Sequence, residues 1–129
     1  MRDKIFKIQE SAENYLETIL ILSKRGLSVR SVDIAGEMGF TPPSVSVAMK
    51  NLRENEYILM DGDGFITLTA KGLETARAVY ERHSFFSGWL QSLGVDEQTA
   101  IADACRIEHV ISERSFEAIK RAAAERPKA

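Results

Sequence analysis

The stretch between residues 27 and 69 constrains the fold most, because it orders two short helices and a hairpin. "LSVRSVDIAGEMGF" predicts a helix over about Ser31 to Met38, whose inward positions are Val32, Ile34, Ala35 and Met38. Gly39 ends this helix, and Phe40 begins a tight connection to the next one. Two short helices around a glycine-containing turn form a helix-turn-helix.

The second helix of this pair, in "TPPSVSVAMKNLRENEYI", opens with strong start signals. Thr41 is the expected N-cap, and Pro42 and Pro43 follow in the first turn, where a missing N–H costs little. Its residues divide into two faces. The predicted inner face holds Val45, Ala48, Met49 and Leu52. The predicted outer face holds Ser44, Ser46, Val47, Lys50 and Arg53.

A hairpin is predicted directly after the second helix. "YILMDGDGFITLT" is typical of a strand, a DGDG turn and a second strand. A helix-turn-helix followed by a two-stranded hairpin is the winged-helix arrangement. The order of elements therefore predicts a winged helix-turn-helix over residues 1–70.

Four further helices are expected outside this core. "KIQESAENYLETILILSKRG" carries a buried stripe and begins at Ser11 or a turn earlier. Thr69 is expected to cap a long helix that Gly94 closes, Asp96 to cap "VDEQTAIADACRIEHVIS", and Ser112 to cap a last helix that runs into a polar tail broken by Pro127. The fold class is therefore mainly α, with a helical domain over residues 71–129.

The helical half carries more apolar bulk than support of a wing requires. Five large side chains lie within nine residues of the long helix: Phe85, Phe86, Trp89, Leu90 and Leu93. Burial against a symmetric partner is the natural solution, so we expect a homodimer. A symmetric reader of two DNA half-sites also needs two copies.

Bulk composition limits the location more than the function. The chain has 129 residues, a net charge of −2 and one cysteine. No apolar run approaches the roughly 20 residues of a membrane span, and a lone thiol suits a reducing compartment. We therefore expect a cytoplasmic protein without membrane association. The net charge does not decide on DNA, because only the docking face must be basic.

The outer face of the second motif helix predicts DNA contact. Small hydroxyl side chains near its start allow close approach to a groove, while basic side chains farther along reach phosphates. A solvated face explains the same pattern. The predicted contact set is Arg30, Thr41, Pro43, Ser44, Ser46, Lys50 and Arg53. Acidic Asp61 and Asp63 at the hairpin tip predict a peripheral wing.

Cys105, Glu108 and His109 form the candidate chemical site. On a helix they fall at i, i+3 and i+4 and share one face. A thiolate, a carboxylate and an imidazole are ligand types for borderline transition metals. The alternative is a buried, inert thiol beside a solvent-exposed Glu–His pair.

Several segments resemble the metal-dependent bacterial repressors typified by the diphtheria toxin repressor and the manganese transport regulator. "SAENYLETI" resembles the family's first helix, "DIAGEMGFTPPSVSVAMKNLRENEYI" its helix-turn-helix, and "LTAKGLETARAVYERH" the start of its long helix. "GVDEQTAIADACRIEHV" resembles its ligand-bearing helix and contains Cys-x-x-Glu-His. The resemblance covers nearly the whole chain and is to the short form, without a C-terminal barrel.

The resemblance implies six metal ligands from three helices: Asn14, Glu17, His83, Cys105, Glu108 and His109. Asn14 offers only a neutral oxygen where relatives have Asp or Met. Cys105 follows the iron branch and Glu17 the manganese branch, so Mn(II) or Fe(II) is expected, with Co(II) or Zn(II) binding in vitro. Ser87 and Ile101 replace the residues of the ancillary site of iron-type repressors, so that site is expected to be absent or altered.

The implied function is a repressor of metal-homeostasis genes, without catalysis, whose bound metal promotes operator binding by a dimer. Three alternatives stay open. The chain could be a purely structural or partner-binding winged helix, and two others assign it a different activity. One is a winged-helix regulator that senses a non-metal ligand or a protein partner. The other is a cysteine hydrolase with Cys105 as nucleophile and His109 or His83 as base, although the sequence lacks a recognisable Gly-rich or oxyanion loop.

Overall fold

The computed structural model describes the backbone of residues 2–125 and the side chains of residues 10–125. The polar tail expected around Pro127 lies outside that range. Two compact units divide the chain, Met1–Ala78 and Val79–Ala129. The functional division at residues 70 and 71 stays a prediction.

The first unit is a winged helix-turn-helix, as expected. Its elements are α1 (Arg2–Lys24), α2 (Ser31–Met38), α3 (Pro42–Glu54), β1 (Ile58–Met60) and β2 (Ile66–Leu68). α2 has the bounds predicted for it. The contacts between α2 and α3, α1 and α2, and α3 and β1 surround an apolar core. That core includes Leu16, Ile19, Ile34, Val45, Met49, Leu52, Ile58 and Ile66.

α1 starts earlier than expected. It begins at Arg2, so Ser11 lies inside the helix and caps nothing. Residues 2–10 contain no glycine or proline, and therefore nothing in them interrupts a helix. The expected buried stripe is present, since Tyr15, Leu16, Ile19, Leu20 and Leu22 are all buried.

The wing is a two-stranded antiparallel hairpin with one extra attachment. Ile58 pairs with Leu68, and Met60 pairs with Ile66. The N–H of Ile66 also donates to the carbonyl of Val29 at 2.7 Å, which forms an isolated bridge. The connection between α1 and α2 is thereby joined to the wing.

The second unit contains most of α4 (Ala70–Ser92), together with α5 (Glu97–Ile107) and α6 (Glu113–Ala124). The expected caps are present at all three starts. Thr69 Oγ1 accepts from the N–H of Gly72, Asp96 from that of Thr99, and Ser112 from that of Ser115. Phe86, Ala104 and Phe116 form the buried centre of this unit, with Phe85, Trp89, Ile107, Ile111 and Ile119 packed around it.

α5 is shorter than expected. It ends at Ile107, so the prediction that this helix extends along "VDEQTAIADACRIEHVIS" as far as the cap at Ser112 is wrong. Residues 108–110 form a turn, and a new helix starts after Ser112. The strong N-cap at Ser112 requires an extended backbone there, which a helix running through that position does not allow.

Candidate metal centre and DNA-contact surface

Glu108 is positioned by the last turn of α5. It is the C-cap residue of that helix, and its N–H donates to the carbonyl of Ala104 at 3.1 Å. Cys105 lies three residues earlier, so the two side chains still share a face. His109 lies in the turn beyond the helix, where helical spacing no longer determines the direction of a side chain.

Three of the expected ligands converge. Ligand atoms of His83 on α4, Cys105 on α5 and Glu108 lie within 4.8 Å of one another. Nitrogen, sulfur and carboxylate oxygen donors in one cluster suit a divalent transition metal. Among the side chains of residues 10–125, this is the one group of three or more His, Cys, Asp and Glu residues with such a spacing.

The Glu108 carboxylate lies between two imidazoles. Its Oε2 is 3.2 Å from Nδ1 of His83, and its Oε1 is 3.1 Å from Nε2 of His109. The carboxylate side chain is fully buried, and that of His109 is 1% exposed. Both histidines thus point at one acid, which places all four side chains of the second unit's expected set in one neighbourhood.

The electrostatics of this group favour an ionised carboxylate. Burial raises the pKa of Glu108, but the contacts from His109 and His83 outweigh that effect and hold the pKa below its usual value. A buried anion of this kind is costly unless positive charge or hydrogen bonds compensate it. The site therefore provides a negative group that a cation can neutralise.

The burial of these side chains is the reverse of what the alternative, a buried thiol beside a solvent-exposed Glu–His pair, requires. Cys105 is exposed rather than buried, whereas the side chains of Glu108 and His109 are buried rather than solvated. An exposed thiol beside a buried acid and imidazole is open to a solvent-borne ligand. The geometry thus favours a ligand site over a packed hydrophobic cysteine.

Asn14 and Glu17, the two remaining expected ligands, lie in the first unit on α1. They stand at positions i and i+3 and so occupy one face of the helix. Glu17 is buried, with 8% of its surface exposed, and Asn14 is half-buried. The hydroxyl of Thr18 donates to the carbonyl of Asn14 at 2.9 Å. If Glu17 were only a polar residue at the edge of the apolar stripe, its carboxylate would be expected in solvent and not buried.

The predicted DNA-contact residues are all on the surface. Thr41 occupies the N-cap position of α3, although its hydroxyl donates to Ser44 Oγ at 2.9 Å and accepts no hydrogen bond from the helix backbone. Val45, Met49 and Leu52 are buried, which leaves the opposite face of α3 to solvent. The exposed set is Arg30, Thr41, Pro43, Ser44, Ser46, Lys50 and Arg53.

Arg30 is held against the wing. Its guanidinium carbon lies 4.3 Å from the ring centre of Phe65, a cation–π arrangement. The Val29–Ile66 bridge brings these two residues together. Sequence reasoning missed the bridge, because one backbone pair outside a regular strand leaves no periodic signal.

One of the two acidic side chains at the wing tip accepts hydrogen bonds within the turn. Oδ1 of Asp61 accepts from the N–H groups of Asp63 and Phe65, both at 2.9 Å. Arg25 pairs with Glu37 through two contacts of 3.1 and 3.2 Å. Arg30, Lys50 and Arg53 are exposed, so their cations are available on the face that carries the predicted DNA contacts.

Comparison with known proteins agrees with both halves of this description. The description "Iron dependent repressor, N-terminal DNA binding domain" matches residues 7–64, and "Iron dependent repressor, metal binding and dimerisation domain" matches residues 69–126. An HTH-type transcriptional regulator of Methanocaldococcus jannaschii is 31% identical over 115 residues, which are 88% of this chain and 92% of that protein. The chain belongs to the iron-dependent repressor family. As a family member it is a metal-dependent, DNA-binding transcriptional repressor.

Two further relatives of this repressor show the extent of the likeness. The HTH-type transcriptional regulator MntR of Bacillus subtilis is 31% identical over 109 residues, which are 84% of this chain and 77% of that one. The solved structure of the manganese regulator SloR superposes with a TM-score of 0.78 at 27% identity. The match covers 89% of this chain and 54% of that chain, so the repressor spans about half of SloR.

The family assignment confirms the expected fold and function class. The winged helix coincides with the matched DNA-binding region, and the cluster of His83, Cys105 and Glu108 lies within the matched metal-binding and dimerisation region. No helix in the described part of the repressor is both long and apolar enough to cross a membrane.

Proposed function

We propose that this repressor is a homodimer that binds operator DNA when a divalent transition ion occupies the site around Glu108. One observation carries the proposal. The fully buried Glu108 carboxylate contacts two imidazoles and lies beside the exposed Cys105 thiol. That donor set occurs within the region matched by a metal-binding domain.

The residues of the second unit that would hold the ion are His83, Cys105, Glu108 and His109. They provide two imidazole nitrogens, a sulfur and a carboxylate, which fits a borderline cation. A bound cation supplies positive charge that compensates the carboxylate and the thiolate. The chain's own contribution is to hold these side chains close together on α4 and at the end of α5.

The proposal extends to Asn14 and Glu17 on α1. The family resemblance assigns ligands to both positions, and the burial of Glu17 agrees with that assignment, since a carboxylate is rarely buried unless a partner compensates its charge. Ligation by these residues of α1 would make metal binding act on the DNA-binding unit. Such a dependence is what coupling between two sites requires.

Mn(II) and Fe(II) are the ions that we propose for the cell, in a role in metal homeostasis. The matched family is described as iron dependent, and SloR is described as a manganese regulator. The thiol of Cys105 favours softer ions, so Co(II) and Zn(II) should also bind in vitro. Selectivity in the cell then depends on geometry and supply.

The DNA-binding part of the proposal assigns α3 to the major groove. Small hydroxyl residues at its start leave room at the base edges, and basic side chains contact phosphates. Two copies would place their recognition helices about 34 Å apart, in successive major grooves. The proposed contact residues are Arg30, Thr41, Pro43, Ser44, Ser46, Lys50 and Arg53.

Exposed apolar side chains of the second unit support the homodimer. Leu93, Ile101 and Val110 have 46%, 40% and 80% of their surfaces exposed. Exposed apolar groups of this size gain stability when a partner covers them. Because a repressor acts where the chromosome is, we also place the protein in the cytoplasm.

Equilibrium dialysis of the full chain tests the metal site. Wild-type protein should bind Co(II) and Mn(II), and Glu108→Gln should bind far more weakly, since an amide keeps the shape but loses the charge. The loss should exceed the roughly 10–100-fold typical of residues that only support a ligand. Glu97→Gln, which changes an exposed acid in the first turn of the same helix, is the matched control.

Two results would contradict the proposal. One is wild-type protein that binds neither ion. The other is equal affinity in wild type and Glu108→Gln, which would move the site away from this cluster. The comparison between wild type and Glu108→Gln counts only if Glu97→Gln binds the ions like wild type.

A further inference from the structure

Arg82, the residue before His83 on α4, contacts the turn that carries two proposed ligands. Its Nη1 donates to the carbonyl of Glu108 at 3.2 Å and to the carbonyl of Ile111 at 2.8 Å. These two carbonyls mark the two ends of the connection between α5 and α6. A single guanidinium group thus joins α4 to both ends of the connection.

The backbone of this connection depends on such a partner. The last carbonyls of a helix have no partner within the helix, and Glu108 is the C-cap residue of α5. A cation at this position also interacts favourably with the negative end of the helix dipole. The guanidinium carbon of Arg82 lies 5.3 Å from the ring centre of Phe116, which holds the side chain against the core of the second unit.

Glu108 is therefore fixed from two sides by consecutive residues of α4. Arg82 binds its backbone carbonyl, while His83 contacts its carboxylate at 3.2 Å. His109 follows directly in the same turn. Any shift of this turn would move the Glu108 carboxylate and would therefore change its distances to both imidazoles.

We propose that Arg82 is a positioning residue for the metal centre. It does not touch the ion, but it holds the turn of residues 108–111 so that Glu108 and His109 are ready to bind. This inference rests on the proposed function, because it assumes that these two residues are ligands. It assigns a role to a residue that lies outside the ligand set and that leaves no motif in the sequence.

The chain offers a close control for the test. Lys120 on α6 also ties to α4, through a 2.5 Å contact between its Nζ and Oε1 of Glu81. It also lies over the Phe116 ring, 5.1 Å from its centre. Lys120→Gln therefore removes a tie to α4 and a cation from the same ring, but it leaves the turn of residues 108–111 untouched.

Co(II) titration of the full chain under reducing conditions, followed by absorption spectroscopy, tests the proposal. Arg82→Gln should weaken Co(II) binding by about 10-fold or more, as expected for residues that orient ligands. It should also change the d–d bands, which report the geometry around the ion. Lys120→Gln should keep the wild-type affinity and spectrum. If Arg82→Gln does not fold, Arg82→Lys is measured against the same control.

The outcomes separate the two levels of the argument. If wild-type protein gives no Co(II) spectrum, the proposed function fails. If wild type binds Co(II) and the Arg82 variant shows the same affinity and spectrum, only the positioning role is overturned. An equal loss in Lys120→Gln would also overturn it, because the effect would then reflect general weakening of the second unit.

Discussion

Cys105 is the exposed member of the cluster that it forms with His83 and Glu108. Its exposure gives a solvent-borne ion access to a site whose carboxylate is completely buried. The same exposure makes the sulfur available to reagents. Since the chain has one cysteine, any thiol reactivity reports on this position alone.

Metal should protect Cys105 from modification. In metal-free protein the thiol should react readily with Ellman's reagent, and saturating Zn(II) should slow the reaction by roughly 10-fold or more, because a sulfur bound to an ion is a poor nucleophile. Removal of the ion with a chelator should restore the original rate. An unchanged rate in protein shown by dialysis to hold Zn(II) would exclude sulfur as a ligand.

At this scale the sequence predicted which residues belong together but not which of them is buried. Helical spacing placed Cys105 and Glu108 on one face, and their ligand atoms are indeed close. The spacing could not show that the chain turns after Ile107 and buries His109. Nor could it reveal Arg82, whose role depends on backbone carbonyls 26 and 29 residues away.

The helix ends show a recurring device at the scale of elements. α3 ends in a Schellman arrangement, in which the N–H of Tyr57 donates to the carbonyl of Leu52 at 2.9 Å and that of Glu56 to Arg53 at 3.0 Å. The same pair of bonds closes α4 around Gly94. The central residue must adopt a left-handed conformation, and Glu56 does so with φ of 64°.

Replacing Glu56 by glycine should therefore stabilise the protein. A side chain at this φ strains the backbone, and glycine removes the strain while its greater freedom in the unfolded chain offsets part of the gain. We expect the free energy of unfolding to rise by roughly 0.5–1 kcal/mol. Denaturant unfolding of metal-free protein measures it, with Glu54→Gly in the last turn of α3 as a destabilising control. A loss of stability in Glu56→Gly would refute the strain argument.

Elements with start and stop residues were predicted well. α2 and the hairpin follow from Gly39, from the prolines of α3 and from the DGDG turn. The start of α1 was not predicted, since no glycine, proline or capping residue marks it. The end of α5 was also missed, because the helical pattern continues past Ile107 and only the cap at Ser112 interrupts it.

The charge of the whole molecule is a poor guide to its DNA binding. The net charge is −2, yet the outer face of α3 and the residue Arg30 present cations. Two acids have local roles: the exposed Asp61 accepts hydrogen bonds within the wing turn, and Glu108 is buried at the candidate metal centre of the second unit. The net charge of the whole chain therefore does not decide whether this face binds DNA, because only the docking face must be basic.

The central claim is that occupancy of the metal site and binding of DNA are coupled. Coupling between two sites in a protein is typically 5–150-fold, and it acts equally in both directions. Loss of the Glu108 charge should abolish it. We expect the fold of the DNA-binding unit to stay the same when the ion binds.

The most direct test is the dissociation constant for a duplex selected by metal-loaded protein from a random-sequence library, measured by fluorescence anisotropy at one fixed salt concentration. We predict that saturating Mn(II), or Fe(II) under anaerobic conditions, tightens binding by about 5–150-fold in wild type and leaves Glu108→Gln unchanged. The same dissociation constant with and without an ion that dialysis shows to be bound would contradict the account.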